Sequence, residues 1–108
     1  MRVLLDECLP KKLKREVEAD SVKTVPEVGW ASKKNGELLR LAEADFEVLL
    51  TNDQNIEHQQ NLKLFDLAFV VLVAPTNDIE DLKPLMPAAN ETLKTIQPGE
   101  IRYIAATN

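Results

Sequence analysis

The stretch "LAFVVLV" at positions 67–73 is the feature that most narrows the fold. An almost wholly apolar run of strand length has no side to offer to water, so both faces of the strand must be covered. A parallel sheet with helices on both faces meets that demand, and the run is expected to be its central strand. The rest of the chain alternates between strand-like and helix-like segments. "RVLL" at 2–5 is a short strand, and Pro10 opens a charged helix to about Ala19, since proline suits the first helical turn. "VKTV" at 22–25 has β-branched alternation, and "PEVGWASKKNG" after it reads as a loop. Asn35 is placed to cap a helix from Gly36 to about Ala44, with Leu38, Leu39, Leu41 and Ala42 on its buried side. "FEVLLT" at 46–51 is a third strand and "NDQNIEHQQN" a short polar helix or helical turn. Asn77 or Asp78 caps a last helical region, which Pro84 and Pro87 interrupt or restart before "AANETLKTI". "QPGE" then turns the chain into a final strand, "IRYIA". This order predicts an α/β fold, a three-layer α/β/α sandwich around a mostly parallel sheet of about five strands. Right-handed crossovers would bring every strand's carboxyl end to one edge, where ligands of such sheets bind.

Two of the strands stop abruptly at a carboxylate, in "VLLDECLPKK" and in "VLLTNDQN". If they run parallel, Asp6 and Asp53 emerge together at the carboxyl edge, with Thr51 and Asn52 organising the turn that presents Asp53. Glu37, in the first turn of the second helix and at the border of its buried side, is placed to reach the same edge. Carboxylates brought together without a counter-ion repel, and a hard divalent cation, Mg²⁺ or Mn²⁺, removes the conflict with oxygen ligands and water. Each acid also has a local explanation: Asp6 as a turn former ahead of Pro10, Asp53 as a helix cap, and Glu37 as a complement to the helix dipole.

The chain has 108 residues, 44% hydrophobic and 29% charged, which suits one domain spanning 1–108. No run approaches the roughly 20 apolar residues of a membrane span. Met1 leads directly into a strand pattern rather than an export signal, so a soluble, cytoplasmic protein is expected. Cys8, the single cysteine, is expected to be a packed bystander. The net charge of −5 runs against a nucleic-acid binder, but the charge is uneven. Residues 1–50 carry nine Lys/Arg against ten Asp/Glu, and residues 51–108 carry four against eight. Lys11, Lys12, Lys33 and Lys34 are the candidate phosphate contacts near the edge, and solvated helix faces are the plainer account of them. Trp30 is a candidate for stacking on a base, or a loop anchor.

The segments "LLDECLP", "GW" followed by "KNGELL", and "VLLTNDQN" with "HQQNL" resemble the small bacterial PIN-like proteins related to toxin ribonucleases of toxin–antitoxin systems. The resemblance runs in order over most of the chain. It implies a Mg²⁺- or Mn²⁺-dependent endoribonuclease that cuts single-stranded RNA. By position, Asp6, Glu37 and Asp53 correspond to the catalytic and metal-binding acids. Asn55 stands where many relatives have a further aspartate, and as a neutral ligand it lowers the charge of the site. The partners implied are RNA and an antitoxin protein that occupies the active-site groove. Self-association as a homodimer is a further expectation.

Two other functions fit part of the pattern. A phospho-accepting receiver also has an acidic pair after its first strand (Asp6, Glu7) and an aspartate after its third (Asp53), but it needs a lysine after the last strand, where "IRYIAATN" has none. A non-catalytic PIN-like binding protein would keep the fold and the partner surface without useful cleavage.

Overall fold

The computed structural model describes residues 1–106, apart from the side chain of Asn35. Five strands form one all-parallel sheet: β1 (Arg2–Leu5), β2 (Ser21–Thr24), β3 (Val48–Thr51), β4 (Ala68–Val73) and β5 (Ile101–Ala105). They lie in the order β2-β1-β3-β4-β5. Four α-helices occupy the connections: α1 (Asn35–Asp45), α2 (Ile56–Gln59), α3 (Ile79–Leu82) and α4 (Met86–Leu93). Three 3₁₀ segments accompany them, at Lys11–Glu16, Leu62–Leu64 and Lys83–Leu85. The expected α/β sandwich around a five-stranded parallel sheet is therefore present. Among the described residues no helix is long and apolar enough to cross a membrane.

Alternation along each strand sends side chains to opposite faces, and two apolar cores result. Val3, Leu5, Val48, Leu50, Val70 and Leu72 pack with Leu13 and Val17 of the first connection and with Leu82, Met86, Ala89 and Leu93 of the last. On the other face Leu4, Leu49, Phe69 and Val71 pack with Leu38, Leu39 and Ala42 of α1 and with Ile56 and Leu62.

Several boundaries differ from those the sequence suggests. β4 is an interior strand, but β3 is the central one. All four residues of β3 are buried, its apolar run being merely shorter. An apolar run reports that both faces are covered, and any interior strand satisfies that. The first connection is a 3₁₀ segment ending at Glu16, not a helix to Ala19. Asn90 of α4 takes over the backbone there, donating to the Glu16 carbonyl (2.9 Å) and accepting from the Glu18 amide (3.0 Å). Lys34 holds the cap position of α1, so the helix begins one residue earlier than expected; the cap role read for the Asn35 side chain lies outside the described residues. Pro84 and Pro87 do break the last helical region, into α3, a 3₁₀ turn and α4.

The connections also depart from uniform handedness. The β1–β2 connection steps one way across the first face, and the β2–β3 and β3–β4 connections step the opposite way across the second, so these three share a hand. The β4–β5 connection steps in the same direction as the latter two but crosses the first face, and so has the opposite hand. This is an exception to a rule that nearly all such crossovers obey. As a result the chain leaves β1 and β4 towards one face and β2 and β3 towards the other. Crevices at the carboxyl edge open where neighbouring strands part in this way, and β1 parts from its neighbour on each side.

Candidate functional site

The β1/β3 junction at the carboxyl edge is built by register. Val3, Leu4 and Leu5 pair with Val48, Leu49 and Leu50, and the Asp6 amide continues the ladder by donating to the Leu50 carbonyl (2.9 Å). Asp6 therefore sits where β1 ends, beside Thr51, the last residue of β3. Thr51 is fully buried. Its hydroxyl donates to Asp6 Oδ2 (2.8 Å) and accepts from the Asp53 amide (3.1 Å). Asp53 Oδ1 in turn accepts from the Asn55 amide (3.0 Å), and Asp6 Oδ1 from the Glu7 amide (2.9 Å). One hydroxyl thus joins the turns after β1 and β3, and each aspartate orders its own turn with one oxygen.

Cys8 belongs to the same cluster. Its Sγ lies 3.6 Å from Thr51 Oγ1, and since the threonine proton is directed at Asp6, the thiol is the donor. Burial, and after it the negative charge of Asp6, push the Cys8 thiol above its ordinary value, so it stays protonated and unreactive at neutral pH. The Cys8 carbonyl accepts from Asn77 Nδ2 (3.1 Å), which ties the loop after β1 to the loop after β4. Of the two cap candidates, Asn77 and Asp78, the latter holds the cap position of α3. The signal for a cross-loop tie was absent, because it depends on the reversed β4–β5 connection.

The remaining candidates are placed differently. Glu37 lies in the first turn of α1 as expected, but its Oε1 is 3.1 Å from Lys33 Nζ, four residues earlier, and its side chain is 58% exposed. Trp30 is half-buried and meets Phe46 edge to face at 6.1 Å, in the manner of a loop anchor. Lys11, Lys12 and Lys34 are exposed. Asn55 precedes α2 and uses its backbone, not its side chain, towards Asp53.

Neither Asp6 nor Asp53 forms an ion pair among the described residues. Asp6 and Asp53 are the residues whose oxygens could hold a hard, hydrated cation such as Mg²⁺, with water completing its shell. Among the described residues no three His, Cys, Asp or Glu side chains stand together as a metal-holding group, and Glu37 is paired with Lys33 instead. Searches against protein-family models, curated protein sequences and solved structures returned no match.

Proposed function

We propose that this chain is a cytoplasmic, PIN-like, metal-dependent endoribonuclease that cuts single-stranded RNA, acting as the toxin of a toxin–antitoxin pair. The observation that carries the proposal is the coupling of Asp6 to the Asp53 turn through the buried Thr51 hydroxyl at the carboxyl edge, with neither aspartate in an ion pair among the described residues. Asp6 and Asp53 would hold Mg²⁺ or Mn²⁺, with the Asn55 side chain as a neutral oxygen donor. When bound, such an ion activates water and offsets charge developing on phosphoryl oxygens. Thr51 fixes the Asp6 carboxylate and the Asp53 turn relative to each other, so the pair is ordered before any ligand arrives.

The test is one cleavage assay on mixed structured and unstructured RNAs with Mn²⁺ or chelator. The parent should cleave only with metal, and Asn55→Asp should bind Mn²⁺ more tightly and cleave faster. Cleavage that persists in chelator would refute the metal requirement. Absence of cleavage in every form, Asn55→Asp included, would leave a non-catalytic binding protein.

A receiver gains some support from the strand order, which is one that phospho-accepting receivers share. The reversed β4–β5 connection departs from a sheet wound with one hand throughout. Intact mass after incubation with acetyl phosphate and Mg²⁺ separates the two: a phosphoryl group gained by the parent and lost in Asp53→Asn would establish the receiver.

A further inference from the structure

Beside Asp6, the parting of β1 from β2 opens a crevice of about 300 Å³. Asp6, Glu7, Leu9 and Lys11 line it from the β1 side, and Thr24, Pro26 and Glu27 from the β2 side, so the crevice itself is acidic and its anion-binding charge lies at the Lys11 end. Lys11 also belongs to an adjoining shallow concavity of about 540 Å³, lined by Lys11, Lys12, Lys14 and Arg15 of the 3₁₀ segment. Four cations in one concavity are unexpected on a chain of net charge −5. Lys14 is occupied, its Nζ 2.9 Å from Glu27 Oε1. Lys11, Lys12 and Arg15 form no ion pair among the described residues, so their charge is open to an external anion.

Glu27 is unusually well held for a loop carboxylate. Its Oε1 accepts both from Lys14 and from the Thr24 amide (2.7 Å), which leaves Oε2 without a partner among the described residues. The Lys14 ammonium, then the Thr24 amide, hold its carboxyl below the usual range, so it is an ionised acceptor at neutral pH. Gly29, at φ +83°, closes the turn behind it by donating to the Pro26 carbonyl (3.0 Å).

We propose that the two concavities form one nucleotide subsite next to the Asp6/Asp53 edge, with phosphates on Lys11, Lys12 and Arg15 and a base resting on exposed Pro26 above the small open edge of Leu9, read by Glu27. The assignment rests on the chain acting on single-stranded RNA and states how that RNA lies: over the 3₁₀ segment, which offers three cations without ion pairs among the described residues, rather than across the start of α1, where Lys33 is engaged by Glu37 and Lys34 alone is left. A fixed carboxylate accepts only, so it favours cytosine, whose N4 amino group donates, over uracil, which presents the O4 acceptor at the same place.

Fluorescence anisotropy of labelled hexacytidylate and hexauridylate, in chelator so that nothing is cut, tests the subsite apart from catalysis. Hexacytidylate should bind about tenfold more tightly than hexauridylate, the worth of one charge-assisted hydrogen bond. Glu27→Gln, whose amide both donates and accepts, should erase the preference. Lys11→Ala, Lys12→Ala and Arg15→Ala should each reduce the slope of log Kd against log salt by about 0.7, and Lys63→Ala, on the opposite face, should leave it unchanged. Equal affinity for the two hexamers, a preference that survives Glu27→Gln, unchanged slopes in the three cation variants, or no binding at the lowest salt would each overturn the subsite. Metal-dependent cleavage in the face of any of these results would leave the ribonuclease standing without it. The expected binding without cleavage would do the reverse.

Discussion

Asp6 and Glu37 are both acids expected at the same edge, yet the structure treats them in opposite ways. Asp6 is bonded to Thr51, 45 residues away, through a buried hydroxyl. Glu37 is paired with Lys33, four residues away on the surface. A group at a strand end is positioned by the register of the sheet, which a mutation elsewhere does not easily alter. A group on the first turn of a helix is also exposed to its near neighbours, and an (i, i+4) lysine claims it at little cost. The difference predicts that the two acids contribute very unequally.

The largest effect is expected in cleavage. Losing one carboxylate ligand of the metal should cost several kcal/mol of transition-state stabilisation, so Asp6→Asn and Asp53→Asn should each slow RNA cleavage by about a hundredfold or more. Glu37→Gln should stay within about threefold of the parent, because its charge is already offset by Lys33 and it is not joined to the cluster. Single-turnover rates with Mn²⁺ decide the matter. A loss in Glu37→Gln as large as in Asp53→Asn would break the contrast, and would mean that Glu37 leaves Lys33 for the metal when the site fills.

Stability should show the same asymmetry on a smaller scale. Thr51→Val keeps the shape but removes the hydroxyl, leaving the Asp6 carboxylate without its buried donor and the Asp53 amide without an acceptor. The expected cost is about 1–3 kcal/mol in urea denaturation. Lys33→Ala, which breaks only the exposed pair, should cost less than about 0.5 kcal/mol. If the two variants were equally stable, the buried hydroxyl would not be the coupling element.

What the sequence made legible follows the same division. Apolar runs and their terminal residues located all five strands, and "IRYIA" and "RVLL" coincide with β5 and β1 residue for residue. The turn role of Thr51 towards Asp53 was readable because it spans two residues. Its donation to Asp6 was not, since it depends on β1 lying beside β3, and strand order is not encoded in any single segment. The hand of the β4–β5 connection was hidden for a similar reason: α4 lies on the face of the first connection, which Asn90 bonds, rather than beside α1, and no local segment tells which face it takes. Glu27 carries no signal of its own, because a loop glutamate acquires meaning only from Lys14, 13 residues earlier, and from the Thr24 amide.

The smallest effect isolates burial from sequence distance. Tyr103 of β5 donates its hydroxyl to Glu57 of α2, 46 residues away, a span like that from Asp6 to Thr51 but on the surface. The hydrogen bond to Glu57, then burial and the glutamate's charge, push the Tyr103 phenol up to about 12. The native state thus holds this proton more tightly than the unfolded chain, whose tyrosine titrates near 10. The stabilisation is therefore present in full below about pH 10 and is lost as pH rises towards 12. As the chain has a single tyrosine, an absorbance titration reads this group directly, and Glu57→Gln should return it towards its ordinary value. Because the pair is open to solvent, Tyr103→Phe should change neutral-pH stability far less than Thr51→Val. A comparable loss would show that distance along the chain, rather than burial, sets the worth of these couplings.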